Sequence, residues 1–161
     1  GILRRSKSTY DRKGKFKMKV ITFIGTVFAV VFLANLAYAK TVDIEMLNKD
    51  AAGRKMVYSK ELVHVELGDT VKWLPTSKGH NVEIVAAPEG FDIPKKSKNG
   101  KEVSIEFTVP GIYYYWCTPH KGMGMIGLIV VDGDTSNKDA IANAKAMGKS
   151  KKKLKKLLDE L

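Results

Sequence analysis

Cysteine is almost missing from this chain. Cys117 stands alone among 161 residues, and there are only three histidines, His64, His80 and His120. A lone cysteine cannot close an internal disulfide, so its thiol is either free or occupied. Haem attachment through C-x-x-C-H is excluded for want of a second cysteine. A closed structural zinc site, which needs more Cys or His, is disfavoured on the same ground. Acidic residues are also in short supply, 17 against 28 basic, for a formal charge of +11. Internal repeats and low-complexity tracts are absent.

One stretch lacks charge altogether. Residues 20–36 are predominantly apolar with no charged residue, follow a basic segment, and end at Ala37-Tyr38-Ala39, an A-x-A cleavage pattern. The run is a little long for the apolar part of a signal peptide and slightly short for a spanning helix. Lys40 and a strand pattern follow at once, which favours a signal peptide over residues 18–39 cleaved after Ala39; a retained anchor is the alternative. Residues 1–17 are then an extended basic leader, or upstream sequence before a start at Met18.

Cleavage removes 8 of the 28 basic and 1 of the 17 acidic residues. The remaining 122 residues carry 20 against 16, and +11 falls to +4. That length suits one domain with a single core. The reduced charge removes the case for nucleic-acid binding and leaves a mildly basic surface able to steer toward an acidic partner. In an oxidising compartment a free exposed thiol is a liability, so Cys117 is better explained as a metal ligand.

From Thr41 onward, short β-rich runs alternate with turn residues. Val42, Ile44 and Met46 alternate with Asp43 and Glu45; Val63 and Val65 flank His64; Val103, Ile105 and Phe107 alternate with acidic and hydroxyl residues. Seven or eight strands over residues 40–134 predict an all-β Greek-key sandwich. Residues 88–100 are irregular and lysine-rich. After Gly133 the period becomes helical over residues 135–161. Ser136-Asn137-Lys138-Asp139 reads as a capping box opening a helix through Met147. Ser150 can cap a second helix, in which Leu154, Leu157, Leu158 and Leu161 form an apolar stripe. Both helices are expected to pack on the same domain.

The chemistry gathers in Cys117-Thr118-Pro119-His120-Lys121-Gly122-Met123-Gly124-Met125, with Lys78-Gly79-His80-Asn81 upstream. One thiolate, two imidazoles and one thioether, from Cys117, His80, His120 and Met125, match a trigonal copper site with a weak axial sulfur. Such a donor set tolerates both Cu(I) and Cu(II), so one copper ion can exchange an electron with little movement of atoms. Taken singly, each residue reads as core filler or surface; the C-x2-H-x4-M spacing with an upstream G-H-N is what carries the argument. Pro119 has no N–H to donate to the sulfur, and Trp116, Pro119 and Met123 are expected to keep water away. His64, on the polar face of its strand, reads as a surface residue. No catalytic residue is expected: a Cys-His protease arrangement does not suit this loop, and with only three histidines too few ligands remain for a copper enzyme. A copper chaperone or storage protein is the alternative to an electron carrier.

These residues resemble the pseudoazurins of the cupredoxin, or type 1 blue copper, family. The likeness rests on Met46-Leu47-Asn48-Lys49, Gly68-Asp69-Thr70-Val71, Lys78-Gly79-His80-Asn81-Val82, the loop from Cys117 through Met125-Ile126, and the helical tail, which plastocyanins lack. The resemblance implies a cupredoxin sandwich with two C-terminal helices and copper held by His80, Cys117, His120 and Met125. It implies that Asn81 ties the His80 loop to Thr118 and that Met56 packs near the His120 ring. The His120 edge would be the electron port, in an apolar patch that includes Met123, ringed by Lys49, Lys78 and some of Lys95, Lys96 and Lys98. Trp116 departs from the family, where lysine often precedes the cysteine. The resemblance further implies a periplasmic monomer, off the membrane after cleavage, that docks transiently with acidic redox partners. Those partners would be cytochromes as donors and nitrite reductase or a related denitrification enzyme as acceptor.

Overall fold

The computed structural model describes residues 38–161. The basic leader at residues 1–17 and the apolar run at 20–36 lie outside the described residues. Among the described residues no helix is long and apolar enough to cross a membrane.

Eight strands and two helices follow in order: β1 Thr41–Lys49, β2 Lys55–Tyr58, β3 Leu62–Val65, β4 Thr70–Leu74, β5 Glu83–Ala86, β6 Val103–Glu106, β7 Gly111–Trp116, β8 Ile126–Val131, α1 Lys138–Ala142 and α2 Lys149–Asp159. A six-residue 3₁₀ turn, Thr118–Met123, joins β7 to β8. The strands form two four-stranded sheets, β2-β1-β4-β6 and β3-β8-β7-β5. Two pairings are parallel, β1 with β4 and β3 with β8. The rest are antiparallel. The two sheets pack face to face as a β-sandwich.

Alternation decides what each strand buries. Ile44 and Met46 of β1 and Val71 and Trp73 of β4 meet Tyr113, Tyr115 and Ile129 of the opposite sheet in one inter-sheet core. In β7 and β8, however, every residue is buried. The intervening residues Ile112, Tyr114 and Trp116 of β7, with Leu128 and Val130 of β8, form a second cluster with Ile141 of α1 and Leu154, Leu157 and Leu158 of α2. The helices therefore cover the outer face of one sheet, and the strands beneath them lose the polar-out signature of a half-exposed sheet. Each buried leucine of α2 contributes roughly 1.5–3 kcal/mol to that docking.

The first helix differs from expectation. It spans five residues and ends at Ala142, and no side-chain cap bond forms at its N-terminus. The helix starts one residue later than the capping box implies, with Asn137 in place of Ser136 at the N-cap, and the Asn137 side chain bonds elsewhere. Its Oδ1 accepts from Ile112 N–H at 2.9 Å and its Nδ2 donates to the Ile112 carbonyl at 2.8 Å. Asn137 thus pins the tail to β7. Asn137→Ala leaves a buried strand amide without a partner, at a cost of about 1–3 kcal/mol. Ser136→Ala, at an exposed position, changes stability by no more than about 0.5 kcal/mol. Urea unfolding of the two variants separates these outcomes. Ser150 does not cap α2 either: it lies inside the helix, and Gly148 precedes it at φ 52° and ψ −126°.

Candidate metal centre

The β7–β8 hairpin builds most of the site. Trp116 pairs with Ile126 across the ladder. One residue further, Cys117 N–H donates to the Met125 carbonyl at 2.9 Å. Cys117 and Met125 therefore face each other at the base of the 3₁₀ turn, both fully buried in the inter-sheet core. Residues 118–123 form the turn between the two strands. It is a regular 3₁₀ segment, closed by Gly124 at φ 92°, where a side chain would be strained.

His80 arrives from the end of the loop before β5, and its ring is fully buried. Three atoms converge. Cys117 Sγ lies 3.3 Å from His120 Nδ1 and 3.7 Å from His80 Nδ1, and the two nitrogens are 3.2 Å apart. Among the described residues this is the one cluster of three His, Cys, Asp or Glu side chains able to hold a metal ion. Bonds of about 2.0–2.3 Å in a trigonal plane require edges of about 3.6 Å, so the observed triangle needs only small adjustment to accept a first-row ion.

Electrostatics favour the same occupant. His80 Nε2 donates to Asn48 Oδ1 at 2.8 Å, which leaves the Nδ1 lone pair aimed inward. Burial lowers the His80 pKa, with a smaller contribution from His120, and burial also lowers that of His120, so both rings favour their neutral, ligand-ready form. Burial raises the Cys117 thiol, partly offset by the backbone N–H groups of Asn81 and His120. Two convergent lone pairs and a buried sulfur reluctant to ionise are what a soft cation relieves, displacing the thiol proton.

Asn81 ties the two loops together. Its Oδ1 accepts from Thr118 N–H at 2.8 Å, and its Nδ2 donates to Thr118 Oγ1 at 3.1 Å and to the Ser97 carbonyl at 3.2 Å. Its own carbonyl accepts from the buried Tyr58 hydroxyl at 2.8 Å. Gly100 N–H donates to the His80 carbonyl at 2.8 Å, so the irregular 88–100 segment straps the His80 loop from outside.

The remaining expected residues fall less tightly. Met56, at φ 51°, is half-buried and packs on the inter-sheet core. Pro119 is exposed, as is Met123 at 49%. Lys49, Lys78, Lys95, Lys96 and Lys98 are all exposed. His64 is exposed and lines an open cleft with Asp69 and Asp132, away from the cluster.

Trp116 requires a correction. It belongs to the outer cluster beneath the helices, because strand alternation that turns Cys117 inward must turn its neighbour outward. It shields the sheet's far face rather than the metal site. Its Nε1 donates to Glu83 Oε2 at 2.7 Å, and Lys121 Nζ sits 4.8 Å from its ring centroid. Glu83 Oε2 also accepts from Thr118 Oγ1 at 2.7 Å. Burial pushes the Glu83 carboxyl up, but these two hydrogen bonds with the nearby charges of Lys96 and Lys121 outweigh it and hold the pKa below its ordinary value.

Asn48, Ser97, Glu83 and Ser150 were not expected at the site. Asn48 lies in the stretch quoted for the family likeness, but nothing in its neighbourhood announces a bond to a histidine on another strand. Ser97 and Glu83 carry no sequence signal at all, and the signal at Ser150 was for a helix cap rather than for its bond to the Lys121 carbonyl.

Comparison with known proteins now decides the family. Residues 44–132 match the model of copper binding proteins of the plastocyanin/azurin family. The pseudoazurin of Paracoccus pantotrophus is 39% identical over 128 residues, covering 78% of this chain and 87% of that one. The chain belongs to the pseudoazurins. The pseudoazurin of Methylorubrum extorquens is 37% identical, over 78% of this chain and 84% of that one. The crystal structure of the Hyphomicrobium denitrificans pseudoazurin superposes with a TM-score of 0.70 at 42% identity, covering 75% of this chain and 98% of the other. A member of this family binds one copper and carries electrons between redox proteins; it is not an enzyme.

Proposed function

We propose that His80, Cys117, His120 and Met125 hold the copper, and that the protein is a periplasmic one-electron carrier donating to a nitrite reductase or a related denitrification enzyme. The observation that carries this reading is the buried triangle of one sulfur and two imidazole nitrogens with edges of 3.2–3.7 Å. Met125 completes the set as the buried thioether across the turn from Cys117. A copper ion bound there supplies a one-electron Cu(I)/Cu(II) couple.

The residues explain why that couple would be fast. Hydrogen bonds to Asn48 and Asn81 and from Gly100, with the packed inter-sheet core, hold the donors in place, so little rearrangement would accompany a change of charge. His120 is the half-exposed ligand, while the other three are fully buried. With copper bound, the His120 edge, beside Pro119 and Met123, would be the route for one electron to an acceptor docked there. Exposed lysines around that edge steer an acidic partner into a transient, salt-sensitive encounter. We place Met56 beside the His120 ring. The exposure of Tyr38 and Ala39 is compatible with leader cleavage after Ala39, which would leave a monomer free of the membrane.

Copper titration tests the centre. One equivalent should generate an intense visible band, and a colourless complex would overturn the assignment. Met125→Leu should keep copper but raise the reduction potential, because loss of the fourth, weak donor would favour Cu(I); Met125→Gln, with a hard oxygen, should lower it. Cyclic voltammetry reads both. Stopped-flow mixing of the reduced protein with copper-type nitrite reductase tests the partner, with oxidation slowing steeply as salt is added; no oxidation at any salt concentration rejects it.

A further inference from the structure

The positive charge of the folded chain sits on one element. Residues 145–161 hold seven lysines and two acids, net +5, whereas residues 40–144 hold 13 basic and 14 acidic residues, net −1. Because Leu154, Leu157 and Leu158 are buried against the sheet, Lys149, Lys151, Lys152, Lys155 and Lys156 are kept at the surface. Three of the helix lysines have partners: Lys155 pairs with Asp159, Lys156 with Glu160 and Lys153 with Glu61. Among the described residues Lys149, Lys151 and Lys152 form no ion pair. They crowd the first turn, where cations oppose the macrodipole and one another. The fold gains nothing from that placement.

The same end of α2 is fastened to the metal loop. Ser150 Oγ donates to the Lys121 carbonyl. Gly148 lies so close to the Gly122 carbonyl that any Cβ would collide with it. Lys149 and Lys153 border the space above Gly124. The exposed lysines at the start of α2 therefore stand beside the loop that carries His120.

We propose that this flank of α2, centred on Lys149 and Lys152, is a docking surface for an acidic protein. It extends the contact face of the His120 edge along α2, beyond the lysines at positions 49, 78, 95, 96 and 98. Its role in electron transfer rests on the electron-carrier reading; its affinity for anions does not. An anionic membrane suits it less well, since the helix has already committed its apolar face to the core and has none left to insert.

Hexacyanochromate(III), a redox-inert paramagnetic anion, tests the surface alone. Added to the Cu(I)-loaded protein, it should broaden backbone NMR signals along residues 149–156 as well as 120–124. Lys149→Glu/Lys152→Glu, whose glutamates suit a helix start and so keep the fold, should abolish the broadening on α2. Broadening confined to the loop, or unchanged in the double variant, overturns the proposal. With copper-type nitrite reductase at low salt, the double variant should react about tenfold more slowly and with a shallower salt dependence. Oxidation by a small cationic cobalt complex should stay within twofold, showing an intact port. A wild-type protein that ignores the reductase but binds the chromium anion along α2 rejects that partner, not the surface. Capture by phosphatidylglycerol vesicles, lost in the double variant while the reductase rate is unchanged, overturns the acidic-protein assignment in favour of lipid.

Discussion

Cys117→Ser removes the intense visible absorption of the copper-loaded protein entirely and leaves the sandwich folded. The absorption depends on charge moving between a thiolate and copper, and this chain has no second sulfur of that kind. A serine hydroxyl in the same buried position does not ionise near neutral pH. The remaining donors, two imidazoles and a thioether, can still bind copper, but more weakly and without the colour. Stability should change by only about 1–2 kcal/mol, because the substitution keeps the volume nearly constant and the rings of His80 and His120 offer the hydroxyl a partner. Absorption spectroscopy after copper loading and circular dichroism of the metal-free protein read the two halves of the prediction. A retained band would mean that the triangle of Cys117, His80 and His120 is not the chromophore.

Gly127→Val unfolds the domain more easily than any change at the metal site. Gly127 pairs with Tyr115 across β7 and β8, and a Cβ there would collide with the ring carbons and hydroxyl of Tyr115, well inside van der Waals contact distance. That ring cannot step aside. It is fully buried, edge-on to Tyr58 at 4.9 Å and to Trp73 at 5.1 Å, and so forms the meeting point of the two sheets. Overpacking at such a point should cost about 3 kcal/mol, lowering Tm by roughly 10 °C. Differential scanning calorimetry of the metal-free protein measures it. The effect should reach the site as well, because Tyr58 also donates to the Asn81 carbonyl. Copper binding to the variant should therefore weaken even though no donor atom has been touched.

These two residues also mark the boundary between local and non-local information. Cys117, His120 and Met125 sit within nine positions of one another. A strand, a 3₁₀ turn and the returning strand suffice to bring such neighbours together, and donor chemistry names the metal class. The strand pattern around Ile44, Val63 and Ile105 was equally plain, since a half-buried sheet writes its alternation into the chain. Ser136-Asn137-Lys138-Asp139 misled because a helix-start pattern is a local signal, whereas the observed N-cap is Asn137, whose side chain is held by a β7 amide 25 positions away. Trp116 misled because proximity in sequence to Cys117 suggested proximity in space, which a pleated strand forbids.

By itself, then, the sequence determined the donor types, their spacing on one loop, the alternating strands and the leucine stripe of the tail, all of which depend on residues a few positions apart. Only the tertiary structure decided that His80, 37 positions before Cys117, would bring its Nδ1 within 3.7 Å of the sulfur. Only it decided that Asn48 would orient that ring and that α2 would set its lysines against the metal loop. Those outcomes follow from sheet register and from which face of β7 the helices cover, and both are set by the packing of segments that carry no local record of one another.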